Sequence, residues 1–511
     1  MKPLRDLVKH SSVYMIGQIL SRLASVLLLP LYTKMLLPAD YGVMAILDLT
    51  AAILSTFLAG GMVSAVTRHH FDHDEGQHHD KVWWTGMSMV GSVCTTVCLM
   101  MFLSRHMLAD VTLGTEITQG AWFYTLTIMT LWFTVVGMIL DSYLRVIKWS
   151  GVFVVISLGR LVFNISLNVW LLVGLNMGVE GLLYGNLAAT FLHTAALAIV
   201  FLRTRGAFTI DRAIGREMLR FAAPLVIAAI AGMAMHEADR FFLRIWDGLD
   251  SVGVYSLAHK IGFAVHTLCL LPFLSIWHVA IYDIERLPDC HKLFGKVFGW
   301  FTSGLGILLL GASLTVHPIL PFLTPDTYGN AIEMISVILL GFYVFALSFM
   351  FEVPSLLTKR TRLMIPGSIV GLVVNIAANY VLIPKMGPWG AAWAGVLTYA
   401  AYSGTILYCC RQAIAIQYPW LRFSLTATSL CATYLGLRYG VFPSVGPAAQ
   451  IAISVFACAV FAVVLFGREG LDLAIEALVK FKHKRNGSPA GPDAEVAEES
   501  AAPSEELVSA S

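Results

Sequence analysis

Long apolar runs separated by short polar clusters recur along the whole chain, and the runs are continuous rather than alternating. Windows of about 20 residues nearly free of charge have the length a helix needs to cross a hydrocarbon core, whereas barrel strands need short alternating segments. The pattern predicts fourteen spans, at about 11–37, 42–67, 82–104, 120–142, 149–173, 179–202, 219–245, 252–280, 294–319, 331–355, 362–384, 388–410, 421–440 and 447–466. Between the first two spans, Leu37-Pro38-Ala39-Asp40 reads as a turn.

The pattern also repeats. At an offset of 211 residues, Gly42-Val43 falls on Gly253-Val254, and Arg5-Asp6-Leu7-Val8-Lys9 on Arg216-Glu217-Met218-Leu219-Arg220. Lys148 falls on Lys359, and residues 161–168 on 372–379 with five identities in eight, Asn164 and Asn168 matching Asn375 and Asn379. One ungapped offset serves all four matches, so the chain is read as duplicated. Gly178-x-x-Gly181 and Gly387-x-x-Gly390 correspond once two residues are gapped. Each copy holds six spans, an even number, so both copies start on the same side and are parallel. The expected organisation is a cytoplasmic start at 1–10, an N-lobe at 11–202, a linker at 203–218, a C-lobe at 219–410 and two further helices at 421–466. An amphipathic basic helix at 467–486 and a disordered tail at 487–511 follow, the tail being rich in Pro, Ala, Ser and Glu. The fold class is therefore an all-α polytopic membrane protein with two parallel six-helix repeats plus two C-terminal helices.

Composition agrees: 57% of residues are hydrophobic and 13% charged, with a mean hydropathy of +0.74. A soluble protein carries about 25% charged residues. The net charge of +2 hides an asymmetry. With the N-terminus inside, 25 of the 34 Lys and Arg lie in inner segments, six at outer ends, and Arg22, Arg160 and Lys260 within spans. That bias places both termini in the cytoplasm. The basic start at 1–10 precedes a span without a small-residue cleavage site, and so reads as a first membrane helix. The eight cysteines lie in or beside spans, except Cys290 in a loop, and form no disulfide framework.

Ionisable groups in hydrocarbon are costly and mark function by default. Tyr14, Gln18, Arg22 and Ser25 share one helical face, as do Ser157, Arg160, Asn164 and Asn168. Ser256, His259 and His266 form a stripe beside Lys260, and His236, Arg240 and Arg244 line up near Glu237 and Asp239. Arg22, Arg160 and Lys260 have no carboxylate three or four residues away, so each needs a partner across the bundle or from outside. A cationic cavity in a membrane suits an anion, and the arginine fork suits phosphate. The bland alternative is that Arg22 and Lys260 snorkel, or pair with Asp48 or Asp239 on other helices. Arg240 and Arg244, near the outer end, read as snorkelling more than substrate-binding, and the Asn pairs as helix glue. Arg68, at a membrane boundary, could meet a phosphate from the cytoplasmic side.

The loop from His69 through Asp80 is rich in His and Asp, but its spacing matches no structural zinc pattern and it reads as solvated. No phosphate-binding Gly-rich loop, hydrolytic triad or His-Glu-x-x-His is present, so neither an ATP site of that type, a metal nor a cofactor is expected. Uphill work would need an ion gradient, for which Glu237, Asp239 and His259 are the first candidates, with Glu333 and Glu352 behind them. Nothing points to nucleic acid. The short outer loops oppose a polysaccharide polymerase or ligase, which carries its catalytic groups on a large loop.

The segments Ser12–Gly17, Leu29–Thr33 and Leu37–Gly42 resemble the start of bacterial Wzx-type polysaccharide flippases. Glu237–Leu243, Val252–Ala258, Asn375–Asn379, Ile383-Pro384 and Gly387–Ala392 carry the same resemblance, over roughly residues 5–466. That family belongs to the multidrug/oligosaccharidyl-lipid/polysaccharide (MOP) exporter superfamily. The resemblance implies a MATE-like two-lobe bundle with alternating access in the bacterial inner membrane. It implies a polyprenyl-pyrophosphate oligosaccharide as cargo, turned to the outer leaflet, with a polysaccharide polymerase and chain-length regulator as partners. By that analogy Arg22, Arg160 and Lys260 would carry the cationic cavity, with Arg68 and Arg240 behind them; from their polar helix faces, Gln18 and Asn164 are further candidates for binding pyrophosphate or sugar. A lipid II-type flippase and a small-molecule/cation antiporter of the same superfamily are the competing expectations. The antiporter loses ground because 11–37 holds no Asp or Glu.

Overall fold

The structure, a computed structural model, describes residues 28–72, 76–206 and 208–486, with side chains described to residue 466. Gln18 and Arg22 lie outside the described residues, as do the first span up to residue 27 and the tail from 487. Every regular element among the described residues is helical. The N-lobe comprises α1 (Leu29–Met35), α2 (Pro38–Ser55), α3 (Gly61–Phe71), α4 (Gly76–Leu103), α5 (Arg105–Thr112), α6 (Gly120–Val146), α7 (Ser150–Val169) and α8 (Gly178–Thr204). The C-lobe comprises α9 (Arg212–Glu237), α10 (Asp239–Glu285), α11 (Cys290–Leu323), α12 (Gly329–Phe351), α13 (Val353–Leu357), α14 (Ile365–Met386) and α15 (Pro388–Cys410). Helices α16 (Trp420–Leu435) and α17 (Pro447–Asn486) follow. The described residues up to 454 form one compact unit and those from 455 a second. The expected last span and basic amphipathic helix both fall on α17.

Ten stretches among the described residues are long and apolar enough to cross a membrane. One of them, Arg212–Glu285, holds the expected seventh and eighth spans. Of the three expected spans outside these ten, the first lies mostly outside the described residues, and the other two form α15, rich in Gly, Ala and aromatic residues, and α16, only 16 residues long. Three π-helical turns, Thr56–Gly60 joining α2 to α3, Trp170–Gly174 after α7 and Gly436–Val441 after α16, lengthen spans that the apolar pattern reads as continuous.

The duplication is visible in the backbone. Lys148 and Lys359 both adopt left-handed φ, 59° and 57°, at the turn that opens the fifth helix of each copy. Asn168 Nδ2 donates to Asn164 Oδ1 at 3.1 Å, and Asn379 Nδ2 to Asn375 Oδ1 at 3.1 Å. In the last helix of each copy the gap of two applies: Thr194 Oγ1 donates to Phe133 O, and Ser403 Oγ to Val344 O, both at 2.9 Å. The turn before α2 forms as the sequence predicts: Pro38 opens the helix and Asp40 accepts from Leu37 N at 3.1 Å. In the second copy Gly248, with φ 87°, makes the corresponding break inside α10.

The copies meet through the residues that open this turn. A Cβ on Gly42 would strike Leu249 O, and one on Gly253 would strike Pro38 O. Pro38 and Leu249 are themselves repeat partners, so α2 and α10 cross in a reciprocal contact about the pseudo-two-fold axis, where only glycine lets the backbones approach. Arg244 adds a clasp, donating to Thr112 O (3.0 Å) and Leu113 O (2.6 Å) and pairing with Glu116 at 3.2 Å. Tyr328 OH donates to Leu36 O at 3.1 Å. The crossing closes the bundle at the end remote from the Lys148 and Lys359 turns. At the other end α3 packs on α9: Gly61 abuts Ala222 O, Arg68 lies 4.6 Å over the Phe221 ring, and His69 is 3.9 Å from Glu217.

Candidate functional site

Between the lobes lies a cavity of about 360 Å³, walled by α1, α2, α7 and α8 on one side and by α9 and α10 on the other. Helix α2 presents Tyr41, Met44, Ala45, Asp48, Leu49 and Ala52, the spacing of a single helical face. Helix α7 adds Asn164 and Asn168, and α8 adds Asn186; Asn168 also donates to Tyr32 OH at 3.2 Å. The C-lobe contributes Glu237, Arg240, Ser256, His259 and Lys260.

The ionic groups divide by how they are held. Arg240 is buried in the wall, donating from Nε to Ser256 Oγ at 3.2 Å, lying 3.1 Å from His259 Nδ1 and paired with Glu237. Asp239 is buried behind it and accepts from Tyr255 OH and from Arg240 N. Lys260 and Asp48 are exposed although they sit within spans, because both project into the cavity. Lys260 Nζ lies 5.8 Å from the Tyr41 ring centre, within cation–π range, and Asp48 is within electrostatic reach of Lys260. Lys260 is thus the cation the described lining offers to a guest.

Several expectations change. The described lining carries Arg240 and Lys260 against Asp48 and Glu237, so it balances in formal charge where a cationic cavity was expected. Asp48 reaches the cavity from α2 and comes within electrostatic reach of Lys260, the partner on another helix that the pairing alternative had named. Arg240 does not snorkel; three side chains fix it in the cavity wall, and Arg244 binds the N-lobe. Arg160 lies outside the described cavity lining and donates to Thr190 Oγ1 at 3.1 Å within the N-lobe. Arg68 sits at the α3–α9 contact. Of the predicted stripe, Ser256, His259 and Lys260 reach the cavity, while His266 stacks on Phe342 at 4.9 Å. Tyr32, Tyr41 and Asn186 were not singled out in the sequence; Tyr41 could have been, being seven residues before Asp48 on one face. In the His-rich loop, Trp83 Nε1 donates to His70 Nδ1 at 3.2 Å, and residues 73–75 lie outside the described residues. No group of three His, Cys, Asp or Glu among the described residues is placed to hold a metal.

The comparisons with known proteins fit this architecture. The family described as polysaccharide biosynthesis protein matches residues 7–276. No curated protein matches the chain. Among solved structures, the lipid II flippase MurJ in an inward closed conformation superposes with a TM-score of 0.74 at 13% identity, covering 90% of this chain and 99% of its own. An inward-facing multidrug resistance MATE family transporter of the MOP superfamily gives 0.62 at 14%, covering 80% and 96%. The Vibrio cholerae MATE transporter VcmN gives 0.55 at 12%, covering 81% and 97%. At these identities the structures speak to the fold, while the family match spans more than half of the chain. The two-lobe helical bundle, with ten stretches among its described residues long and apolar enough to cross a membrane, shares its fold with the MurJ and MATE structures, and the chain belongs to the polysaccharide biosynthesis protein family.

Proposed function

We propose that the protein turns a polyprenyl-pyrophosphate-linked oligosaccharide from the cytoplasmic to the outer leaflet of a bacterial inner membrane, for cell-surface polysaccharide synthesis. The observation that carries this reading is the pairing, in one inter-lobe cavity of a polysaccharide-family chain, of an exposed Lys260 with amides and hydroxyls. Lys260 meets the pyrophosphate, with Arg22 of the first span as the second cation. Asn164, Asn168, Asn186, Tyr32 and Tyr41 supply the planar amides and aromatic hydroxyls that sugars use. Alternating access requires the α2–α10 crossing and the α3–α9 contact to open in turn. Glu237, which faces the cavity, and the buried Asp239 and His259, all grouped around Arg240, are the candidates for ion coupling. A polymerase and a chain-length regulator would take the product.

Asp48 and Glu237 give a second reading a specific footing: carboxylates facing a balanced cavity also suit a cationic guest, as in a small-molecule/cation antiporter. A deletion strain separates the two. The lead reading expects a polyprenyl-pyrophosphate oligosaccharide to accumulate in the cytoplasmic leaflet, and its sugar would distinguish a lipid II-type cargo. Unchanged lipid-linked sugars together with altered sensitivity to cationic drugs would replace it by the antiporter.

A further inference from the structure

A second ionic cluster lies inside the N-lobe. Asp141 of α6 faces His193 of α8, with 3.6 Å between Oδ1 and Nε2, too long for a hydrogen bond. Arg160 of α7 donates to Thr190, one turn from His193, and is within electrostatic reach of both Asp141 and His193. Asp141 Oδ1 is buried and has no hydrogen-bond partner among the described residues. At about 1.5 Å per residue, Arg160 and His193 both lie roughly 15 Å from the ends of their helices at Ser150 and Thr204, deep in the span. The charged and titratable groups that reach Asp141 are Arg145 on its own helix, Arg160 from α7 and His193 from α8.

The duplicated copy provides an internal control. By the repeat register, Asp141 corresponds to Glu352 and Arg160 to Gly371; across the two-residue gap, His193 corresponds to Tyr402. Glu352 is again buried, and Tyr402 is within its electrostatic reach. Met235 Sδ stands 2.7 Å and Tyr402 Cβ 3.3 Å from where a Cβ on Gly371 would be, so the two together fill the space that a counterpart of Arg160 would take. The same three-helix junction is therefore built in the C-lobe from one carboxyl, a phenol and a glycine. Buried ion pairs add little stability over neutral packing and cost desolvation. The fold does not require the arginine and the histidine in the N-lobe.

We propose that Asp141 and His193, with Arg160 as the fixed positive charge, form a proton-binding site in the N-lobe. Without the proton, Arg160 balances the Asp141 carboxylate and the imidazole is neutral. A proton arriving along the partly exposed Asp141 side chain settles between Oδ1 and Nε2. It gives the orphan oxygen its missing hydrogen bond and draws α6 and α8 together. The site then carries a net charge of +1 where it was neutral, and Arg160, having lost its carboxylate counter-ion, is held less firmly. Arg160 shares its helical face with Asn164 and Asn168 in the cavity, so the helix links proton occupancy to the cavity wall. This goes beyond the proposed cargo and does not depend on its identity.

The test is infrared difference spectroscopy of the full-length protein in lipid bilayers as pH is varied, with no cargo present. The expected result is a protonated-carboxyl band that fades as pH rises and is absent in Asp141→Asn. In His193→Gln its midpoint should fall by about one pH unit or more, since the carboxylate loses its proton-sharing partner but keeps Arg160. Glu352→Gln should remove a different band, one that His193→Gln leaves in place. If Asp141→Asn does not fold, Asp141→Glu keeps the carboxyl and identifies the band by its changed frequency. A pH response unaltered by substitution at both Asp141 and His193 would overturn the proposal.

Discussion

The two copies of the repeat agree where the backbone is constrained and part where side chains do chemistry. Gly42 and Gly253, Asn164-Asn168 and Asn375-Asn379, and the left-handed Lys148 and Lys359 occupy matching places with matching geometry. Asp48 faces His259 across the repeat, Arg160 faces Gly371, and Lys260 has Leu49 as its counterpart. The shared positions are turns, close approaches and side-chain bonds along one helix, which either copy needs to fold. The divergent positions line the cavity or the N-lobe ionic cluster. Duplication thus separates residues that build a lobe from residues that give it a task.

The comparison can be broken most directly at its axis. Gly42→Ala and Gly253→Ala each place a methyl against a backbone carbonyl of the other lobe, and overpacking of this kind costs about 1–3 kcal/mol. Because the contact is reciprocal, both variants should lose export to a similar degree, read as cell-surface polysaccharide at matched protein abundance. A silent Gly42→Ala beside a defective Gly253→Ala would remove the symmetry from the account.

A divergent position comes next. Lys260→Ala should lower export by about tenfold or more, since a charge-assisted hydrogen bond is worth about 1.5–3 kcal/mol, while abundance stays unchanged. Loss of the protein from the membrane would instead make Lys260 a folding residue.

Asn168→Ala and Asn379→Ala sharpen the contrast within a matched pair. Interhelical hydrogen bonds in membranes average about 0.6 kcal/mol, so Asn168→Ala, which loses its bond to Tyr32, should lower thermal stability slightly, and Asn379→Ala, which loses a bond within α14, by no more than that. Only Asn168 faces the cavity and Tyr32, so only Asn168→Ala should reduce export. Equal export defects would dissolve the distinction. The smallest effect belongs to Lys148→Gly and Lys359→Gly. Glycine relieves the left-handed φ, and each should raise thermal stability by up to about 1 kcal/mol, equally in the two copies.

The spans, their number and the duplication were legible because hydrophobic length and a fixed offset are properties of the chain itself. The partners of charges within spans were legible only in part. Asp48 on another helix was one of the alternatives for Lys260, whereas Asp141 and His193, on two other helices, were not read as neighbours of Arg160. The Gly42 and Gly253 match announced the repeat but not the contact, since the offset says which residues are equivalent and not which ones touch. The register shift between α7 and α8 was readable, but its consequence, that His193 aligns with Tyr402, needed the hydrogen bonds of Thr194 and Ser403 to settle it.

The most direct test of the central claim is the leaflet distribution of lipid-linked oligosaccharide in cells whose only copy carries Lys260→Ala. The account predicts a polyprenyl-pyrophosphate oligosaccharide accumulating in the cytoplasmic leaflet while the variant is present in the membrane at normal abundance. Normal transfer of that lipid to the outer leaflet by the variant would contradict the assignment of the cavity as the path of the cargo.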